Sequence, residues 1–268
     1  MTNRSPKPRR VVEGNWYDFP QYYDVALMED TELEADFVEA AWKKFGDGPL
    51  GRILEPGCGS GRLVRELARR GLHVVAFDDN PKALDYLSGR LQADGTNAEV
   101  FIGDLARFRI KELVDLACCF CNTFRHILTT DDAVGHLKCV ARSLRPGGLY
   151  LLGFHIMPID VDPEDCERWT CERNGVKVKT TLTVHKTYPR KRQEVLRLSM
   201  DVDAPGERLR VQSLMTLRLY NLQEFLELLS RAPPLQLVAT YDFLYDVDDP
   251  IQLDEFSSDV VVVLRRKS

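Results

Sequence analysis

Three glycines at alternate positions, Gly57, Gly59 and Gly61, follow a short apolar segment that ends in an acid, Glu55. A turn of this kind needs backbone angles that a Cβ atom forbids, and its bare main chain allows a ligand to approach closely. A helical pattern of apolar residues follows directly. The stretch therefore predicts a strand, a tight turn and a helix start, with a flat, polar ligand lying on the turn.

Two further carboxylates stand where predicted strands end. Asp78 closes the second strand, about 20 residues beyond Gly57, where a carboxylate accepts hydrogen bonds from both hydroxyls of a ribose. Asp104 closes the third strand and is placed to accept from an adenine amino group. Each acid alone has an ordinary explanation as a loop or cap residue. Together with the glycine turn, they favour an adenosine site.

The glycine spacing discriminates between adenosine ligands. A dinucleotide site has the pattern G-x-G-x-x-G, so that a pyrophosphate meets a helix N-terminus. Here the pattern is Gly57-x-Gly59-x-Gly61, and the P-loop combination of Lys with Ser or Thr is missing. A nicotinamide-dependent oxidoreductase is therefore the less favoured alternative.

Alternating strands and helices must bring these residues to one edge of a sheet. Five strands separated by helical patterns are predicted around 53–54 and at 73–77, 98–102, 113–120 and 149–154. Such a succession implies right-handed crossovers, and hence a doubly wound, mostly parallel α/β sheet. The carboxyl ends of its strands form the expected ligand site.

The hydrophobic period changes after the fifth strand. Between 176 and 219, apolar and polar residues alternate in three segments, separated by turn signals at 188–190 and 204–206. This pattern predicts an antiparallel β meander inserted into the α/β fold.

A helix capped by Asn221 and Glu224 and two strands, at 235–245 and 259–264, are predicted to complete the large sheet. The expected division of the chain is a disordered tail at 1–14, a ligand-binding α/β core with an N-terminal cap at 15–156, the β insertion at 157–220 and the end of the core at 221–268.

Composition limits the possible partners. The chain has 268 residues, is 44% hydrophobic and carries a formal net charge of −5, which argues against a nucleic-acid partner that needs clustered cations. No apolar run reaches the roughly 18 residues of a membrane helix, and scattered cysteines fit reduced thiols. Cys118 and Cys121 have C-x-x-C spacing, but core packing is favoured over a metal site. We expect a cytoplasmic monomer or homodimer without nucleic-acid, membrane or metal partners.

At its motifs the chain resembles the class I S-adenosylmethionine-dependent methyltransferases of the small-molecule type, with a core like methyltransferase domain 25. The matching stretches are Leu54 to Gly61, Phe77-Asp78 with Asn80-Pro81, Gly103-Asp104-Leu105, and Leu144 to Gly148. The resemblance covers about residues 15–268. It implies a Rossmann-like, seven-stranded sheet whose last strand is antiparallel, S-adenosylmethionine as methyl donor with S-adenosylhomocysteine as product, and a meander that covers the substrate as a lid.

The resemblance also implies a set of cofactor-contacting residues, which this sequence carries at Glu55, Gly57, Cys58, Gly59, Gly61, Asp78, Asp104, Leu105, Phe120, Cys121 and Tyr23. The glycines would contact the amino-acid end, Asp78 the ribose, and Asp104 with Leu105 the adenine. Phe120 and Cys121, followed by Asn122, would line the methionine moiety.

An aromatic cluster lies between residues 16 and 23, ahead of the glycine turn. Such a cluster is usually core or interface. In similar small-molecule enzymes an aromatic residue closes over the cofactor, and the candidates for that role here are Tyr17, Tyr22 and Tyr23.

Methyl transfer from a sulfonium is an in-line displacement that depends mostly on positioning, with a base only for a protonated acceptor. His126 and His155, which follow the fourth and fifth strands, are the candidate catalytic bases; a structural hydrogen-bonding role is the alternative for each. The Asn-Pro-Pro-Tyr type signature of nucleic-acid and glutamine methylating relatives is absent. The resemblance thus implies N- or O-methylation of a small-molecule acceptor, and the alternative is a non-catalytic cofactor-binding or scaffold protein.

Two acidic loops, at 160–165 and 246–249, follow strands predicted to end near the site. Solvated loops are the ordinary interpretation. Our hypothesis is that they bias the mouth of the site toward a cationic amine.

Overall fold

The computed structural model describes residues 9–157 and 166–267. Its strands, numbered in chain order, are β1 Arg10–Glu13, β2 Arg52–Pro56, β3 His73–Asp78, β4 Glu99–Ile102, β5 Val114–Cys119, β6 Leu144–His155, β7 Cys166–Arg173, β8 Val176–Tyr188, β9 Gln193–Ala204, β10 Glu207–Arg218, β11 Leu235–Tyr241 and β12 Asp259–Arg266. Its helices are α1 Pro20–Ala26, α2 Thr31–Phe45, α3 Arg62–Arg69, α4 Pro81–Asp94, α5 Thr130–Ser143 and α6 Leu222–Ser230. Short 3-10 turns occupy Trp16–Asp18, Thr123–His126 and Pro189–Lys191.

The larger sheet has seven strands in the order β11-β12-β6-β5-β2-β3-β4. All neighbouring pairs are parallel except those made by β12, which runs antiparallel to both β6 and β11. Its central strands are near-continuous apolar runs because helices cover both faces. The predicted doubly wound, mostly parallel seven-stranded sheet is confirmed. Among the helices of the described residues, none has the length and apolar character needed to cross a membrane.

Two helix starts follow their predicted caps. The Asn80 side chain accepts from the Lys82 amide, and Pro81 fills the first position of α4. Asn221 and Glu224 form a reciprocal capping box at the start of α6.

The smaller sheet has the order β1-β10-β9-β8-β7, and β7 to β10 form an antiparallel meander. Its apolar face packs against the aromatic segment and α1; the cluster includes Trp16, Tyr22, Tyr23, Val25, Val178, Leu198, Met200 and Val211. Helix α1 also contacts α4, so it lies between the inserted sheet and the core.

The prediction of a disordered tail over 1–14 is wrong for part of that range. Arg10–Glu13 form β1, which pairs in parallel with Leu209–Gln212 of β10. The side chain of Val12 packs against the cluster of the smaller sheet, so a partner almost 200 residues away provides the order. Residues 1–8 lie outside the described residues.

Strand β6 begins earlier than predicted. Helix α5 ends at Ser143, and Leu144 already belongs to β6. Gly148 passes so close to β5 that a Cβ atom there would lie 2.8 Å from the carbonyl oxygen of Asp115. The Pro-Gly-Gly stretch is therefore part of the sheet.

A buried carboxylate fixes the position of α1. Asp24 is 0% exposed and accepts hydrogen bonds from Ser60 Oγ at 3.2 Å and Tyr86 Oη at 3.1 Å. It also pairs with Arg90 of α4 and Arg173 of β7. Because two cations and two hydroxyls satisfy this charge, α1 is tied to the glycine turn, the core and the smaller sheet at one point.

Candidate functional site

A cavity of about 1250 Å³ opens where the carboxyl ends of β2, β3 and β5 meet the smaller sheet. One wall is the glycine turn with the residues that follow β3, β4 and β5. The other includes the segment after β1 and part of β10. Most ligand pockets occupy about 300–1000 Å³, so this cavity has room for two ligands side by side.

The glycine turn has the backbone conformation expected of it. Gly57, Gly59 and Gly61 have φ values of +68°, +53° and +73°. A Cβ atom at Gly57 would lie 2.5 Å from Thr123 Cγ2, and one at Gly59 would lie 3.1 Å from the Tyr23 hydroxyl. The turn is therefore both left-handed and closely packed, and Gly57 and Gly59 present main chain to the cavity.

We expect Gly61→Ala to destabilise the fold by about 2–4 kcal/mol. About 1–2 kcal/mol would come from the left-handed conformation and the rest from overlap with the Leu87 side chain. Gly95→Ala is the matched control, since Gly95 has a φ of +67° and open space around it. Urea unfolding should show a loss of only about 1 kcal/mol in the control; equal losses would mean that packing at Gly61 contributes nothing.

Asp78 joins the glycine turn to the start of α4. Its carboxylate accepts from the Gly59 amide at 2.8 Å and from the Asn80 amide at 3.0 Å. Burial raises the pKa of Asp78 above its ordinary value, although these two amide bonds oppose the shift. The carboxylate lines the cavity with Asp79 and Asn80, at the end of β3 as predicted.

Glu55 and Tyr23 present unsatisfied polar atoms at the same turn. Among the described residues, neither Glu55 Oε2 nor the Tyr23 hydroxyl has a hydrogen-bond partner, although both atoms are buried. Burial raises the pKa of Glu55 to about 8. Orphaned buried groups of this kind need a partner, so the turn is built for a ligand with polar or charged groups of its own.

An arginine that the sequence analysis missed lines the cavity beside this turn. Arg62 pairs with the fully buried Glu34 at 2.7 Å and donates to Thr31 Oγ1 at 3.1 Å. It also lies 2.9 Å from the Cys121 sulfur. The sequence offered one indication of this role, an arginine directly after the third glycine, but the spacing of residues along the chain does not reveal its partners on α2. A guanidinium here is placed to meet a ligand carboxylate.

A buried histidine is hydrogen-bonded to the loop after β4. His136 donates from Nδ1 to the Leu105 carbonyl at 2.8 Å and accepts at Nε2 from the Tyr150 hydroxyl at 2.7 Å. Burial lowers the pKa of His136 to about 4, which keeps the ring neutral. Asp104 accepts from the Ala106 amide at 2.8 Å, and Asp104 and Leu105 both line the cavity.

His126 and Tyr17 form a pair inside the cavity. The Tyr17 hydroxyl and His126 Nε2 are 3.0 Å apart, and the two rings meet edge to face. Burial and the nearby Arg125 lower the pKa of His126 to about 4, and burial raises that of Tyr17. Both groups are therefore neutral near pH 7. The Tyr17 ring also packs against Tyr23, so these two tyrosines cover the glycine turn.

The other candidates divide between the cavity and its surroundings. Phe120 and Cys121 line the cavity, as does Cys58. Tyr22 instead donates from its hydroxyl to Glu207 at 2.6 Å and lies outside the lining.

His155 does not line the cavity in the part of the chain that the structure describes. Its Nδ1 pairs with Asp259 of β12, its ring packs against Phe243, and its amide donates to the Asn122 side chain at 2.8 Å. These contacts fit the structural alternative, because antiparallel pairing with β12 supplies the carboxylate partner.

The acidic loop at 246–249 also lies away from the cavity lining within the described residues. Asp248 pairs there with Lys44 at 3.6 Å. The loop at 160–165 is outside the described residues. The cavity nevertheless has an acidic lining, since its carboxylates are Glu13, Glu34, Glu55, Asp78, Asp79, Asp104 and Asp132, and its arginines are Arg62, Arg107 and Arg197.

The chain is similar to known methyltransferases. Residues 53–148 match a family described as a methyltransferase domain. A putative methyltransferase of Geobacillus sp. is 26% identical over 51% of this chain, and the match spans only 56% of its own length. The cypemycin N-terminal methyltransferase of Streptomyces sp is 26% identical, over 71% of this chain and 73% of that protein.

The fold also matches that of a solved methyltransferase. A structure of an amino pentose methyltransferase from Micromonospora echinaspora with bound S-adenosylmethionine superposes with a TM-score of 0.71 and 16% identity, over 93% of this chain and 96% of that chain. Residues 53–148 thus match a methyltransferase domain, and the fold of the chain is similar to that of a solved S-adenosylmethionine-bound methyltransferase.

Proposed function

We propose that this protein methylates a nitrogen or oxygen of a small molecule, and that an amine is its preferred acceptor. One observation carries the proposal: a single cavity contains the candidate cofactor residues, the neutral Tyr17–His126 pair and a predominantly acidic lining. Its volume of about 1250 Å³ accommodates donor and acceptor together.

The residues present fit the cofactor. Arg62 would meet its carboxylate, and the orphaned Glu55 and Tyr23 atoms would bind its ammonium end. Asp78 would hold the ribose, and Asp104 with Leu105 would hold the adenine. An ammonium group beside Glu55 would also lower the raised pKa of that carboxyl and favour its charged form.

When bound, S-adenosylmethionine would supply an electrophilic sulfonium methyl group. A cationic amine would first give up one proton to a base, and the freed lone pair would then form the nitrogen–carbon bond as the carbon–sulfur bond breaks and its electron pair goes to sulfur. His126 is the candidate base, since its ring is neutral before the transfer and can accept that proton, which moves the positive charge from the acceptor to the imidazole. Tyr17 orients the ring through its hydroxyl. The smaller sheet acts as the lid over the acceptor.

Charge supports the choice of an amine. Seven carboxylates and three arginines line the cavity. Glu34 pairs with Arg62, Asp132 pairs with Arg107, and burial favours the neutral form of Glu55. The other four carboxylates, Glu13, Asp78, Asp79 and Asp104, face only Arg197 among the lining arginines, and this excess favours a cationic acceptor over an anionic one. The names of two similar proteins refer to an N-terminus and to an amino sugar.

The test combines binding with an acceptor panel. Calorimetric titration should show micromolar binding of S-adenosylhomocysteine and no binding of NADH, followed by methylation of amines such as benzylamine and glucosamine. Turnover confined to neutral phenols would contradict the amine preference. Cofactor binding without turnover of any acceptor would favour the non-catalytic alternative, and a folded protein that binds no S-adenosylhomocysteine would refute the proposal.

A further inference from the structure

Strand β10 has an open edge inside the cavity. On this edge β1 pairs with β10 over Leu209–Gln212, and the last bond runs from the Gly14 amide to the Gln212 carbonyl at 3.0 Å. The chain then leaves in the turn Trp16–Asp18, whereas β10 continues to Arg218 with β9 on its other side. Within residues 9–157 and 166–267, no strand pairs with this edge beyond Gln212.

The pairing pattern shows which peptide groups face the open edge. Peptide groups of alternate residues in a strand point to the same side. Because the Gln212 carbonyl faces β1, those of Leu214 and Thr216 face the edge that β1 has left. In the described part of the chain, no turn, loop or side chain supplies them with a hydrogen-bond partner.

This edge belongs to the same cavity as the candidate base. Gln212, Leu214 and Thr216 line the cavity together with Tyr17 and His126. An exposed strand edge is a template for an added strand, and extended peptides bind to such edges through main-chain hydrogen bonds. From Gln212 to Thr216 the edge is about 13 Å long, which matches the first three or four residues of an extended peptide.

Charge near the edge suits the amino end of a peptide. Glu13 is the last residue of β1, opposite Gln212, and lines the cavity. Asp132 also lines the cavity but pairs with Arg107 at 3.6 Å, and Arg197 of β9 lies opposite Leu214, towards the other end of the edge. Glu13 is therefore the carboxylate placed to attract an α-ammonium group at the β1 end of the edge, while the neutral His126 does not repel it.

We propose that the acceptor is the α-amino group of a peptide whose first residues pair with the open edge of β10. This inference rests on the proposed function and names its substrate class. The chemistry is the methyl transfer stated above, with the α-amino nitrogen as acceptor and His126 as the group that receives its proton.

A peptide series tests the pairing in the unaltered protein. The probe is tetra-alanine amide with a free amino group, compared with three isomers that each carry one N-methylated backbone amide. Only alternate amides of a paired strand donate across the edge, so N-methylation should lower kcat/KM by at least about tenfold at alternate positions and by less than about threefold between them. The N-acetylated peptide should not be methylated. Calorimetry with S-adenosylhomocysteine present should show the same alternation in peptide affinity.

Thr216→Pro provides the complementary test, since proline removes the amide donor and is tolerated on edge strands. We expect KM for tetra-alanine amide to rise at least about tenfold, with the Kd for S-adenosylhomocysteine changed by less than about twofold as evidence of an intact fold. Methylation of benzylamine or glucosamine without methylation of any peptide would overturn this inference and leave the proposed function standing. Equal effects of N-methylation at every position would overturn it too. If the unaltered, folded protein did not bind S-adenosylhomocysteine, the proposed function itself would instead be refuted.

Discussion

His126→Gln is expected to lower kcat by about 10²- to 10³-fold, while the Kd for S-adenosylhomocysteine stays within about threefold of the unaltered value. Glutamine can keep a hydrogen bond to the Tyr17 hydroxyl, which lies 3.0 Å from His126 Nε2, but it cannot take a proton from an acceptor. Quenched time-course assays read by mass spectrometry measure kcat, and calorimetry measures the Kd for S-adenosylhomocysteine separately. A kcat within threefold of the unaltered protein would show that positioning alone accounts for catalysis.

Tyr17→Phe is the matched control for this variant. It retains the ring contacts with Trp16 and Tyr23 and loses only the hydroxyl that orients the imidazole. We expect a smaller loss in kcat, about tenfold, because the base is still present but less well oriented. A larger loss than in His126→Gln would assign the proton transfer to Tyr17 instead.

The pH dependence follows from the lowered pKa of His126. The ring must be neutral to accept a proton, so the enzyme's own contribution to kcat/KM should persist down to about pH 5 and disappear near pH 4. The free energy of unfolding also decreases as the pH falls, because the pKa values of His126 and His136 are about 4 in the folded protein and about 6.5 in the unfolded chain. The unfolded chain binds more protons in that window, so stability is complete above pH 6.5 and falls as pH falls toward 4.

Asp78→Asn is expected to weaken S-adenosylhomocysteine binding by about 100-fold, because the carboxylate's charge-assisted hydrogen bonds to ribose hydroxyls would be lost. Asparagine has nearly the same shape, yet it offers a single acceptor oxygen to the amides of Gly59 and Asn80. Calorimetry measures the affinity, and thermal unfolding checks the fold. Asp79→Asn is the control, since Asp79 lines the cavity one position further along, and its effect should be under threefold.

A ligand-side comparison isolates the ribose contact from any shift of the turn. The 2′,3′-dideoxy analogue of S-adenosylhomocysteine should bind the unaltered protein weakly and bind Asp78→Asn about as well as S-adenosylhomocysteine does. If the variant still distinguishes the two ligands by the full factor, Asp78 does not hold the ribose.

Local sequence determined the wall of the cavity that the glycine turn forms. Gly57, Gly59 and Gly61 adopt left-handed backbone conformations because the tight turn between β2 and α3 requires them. Asp78 and Asp104 line the cavity because each of them lies at or just after the end of its own strand. Strand ends in a parallel sheet meet at one edge, so a pattern read along the chain predicts their convergence.

Contacts distant in sequence decided the rest, since a one-dimensional pattern does not specify partners. His126 and His155 both follow strands, but pairing with β12 gives His155 the carboxylate of Asp259, while His126 meets Tyr17 across 109 residues of sequence. The order of Arg10–Glu13 depends on β10. The acidic lining of the cavity likewise comes from separate elements, and only the tertiary structure brings them to one surface.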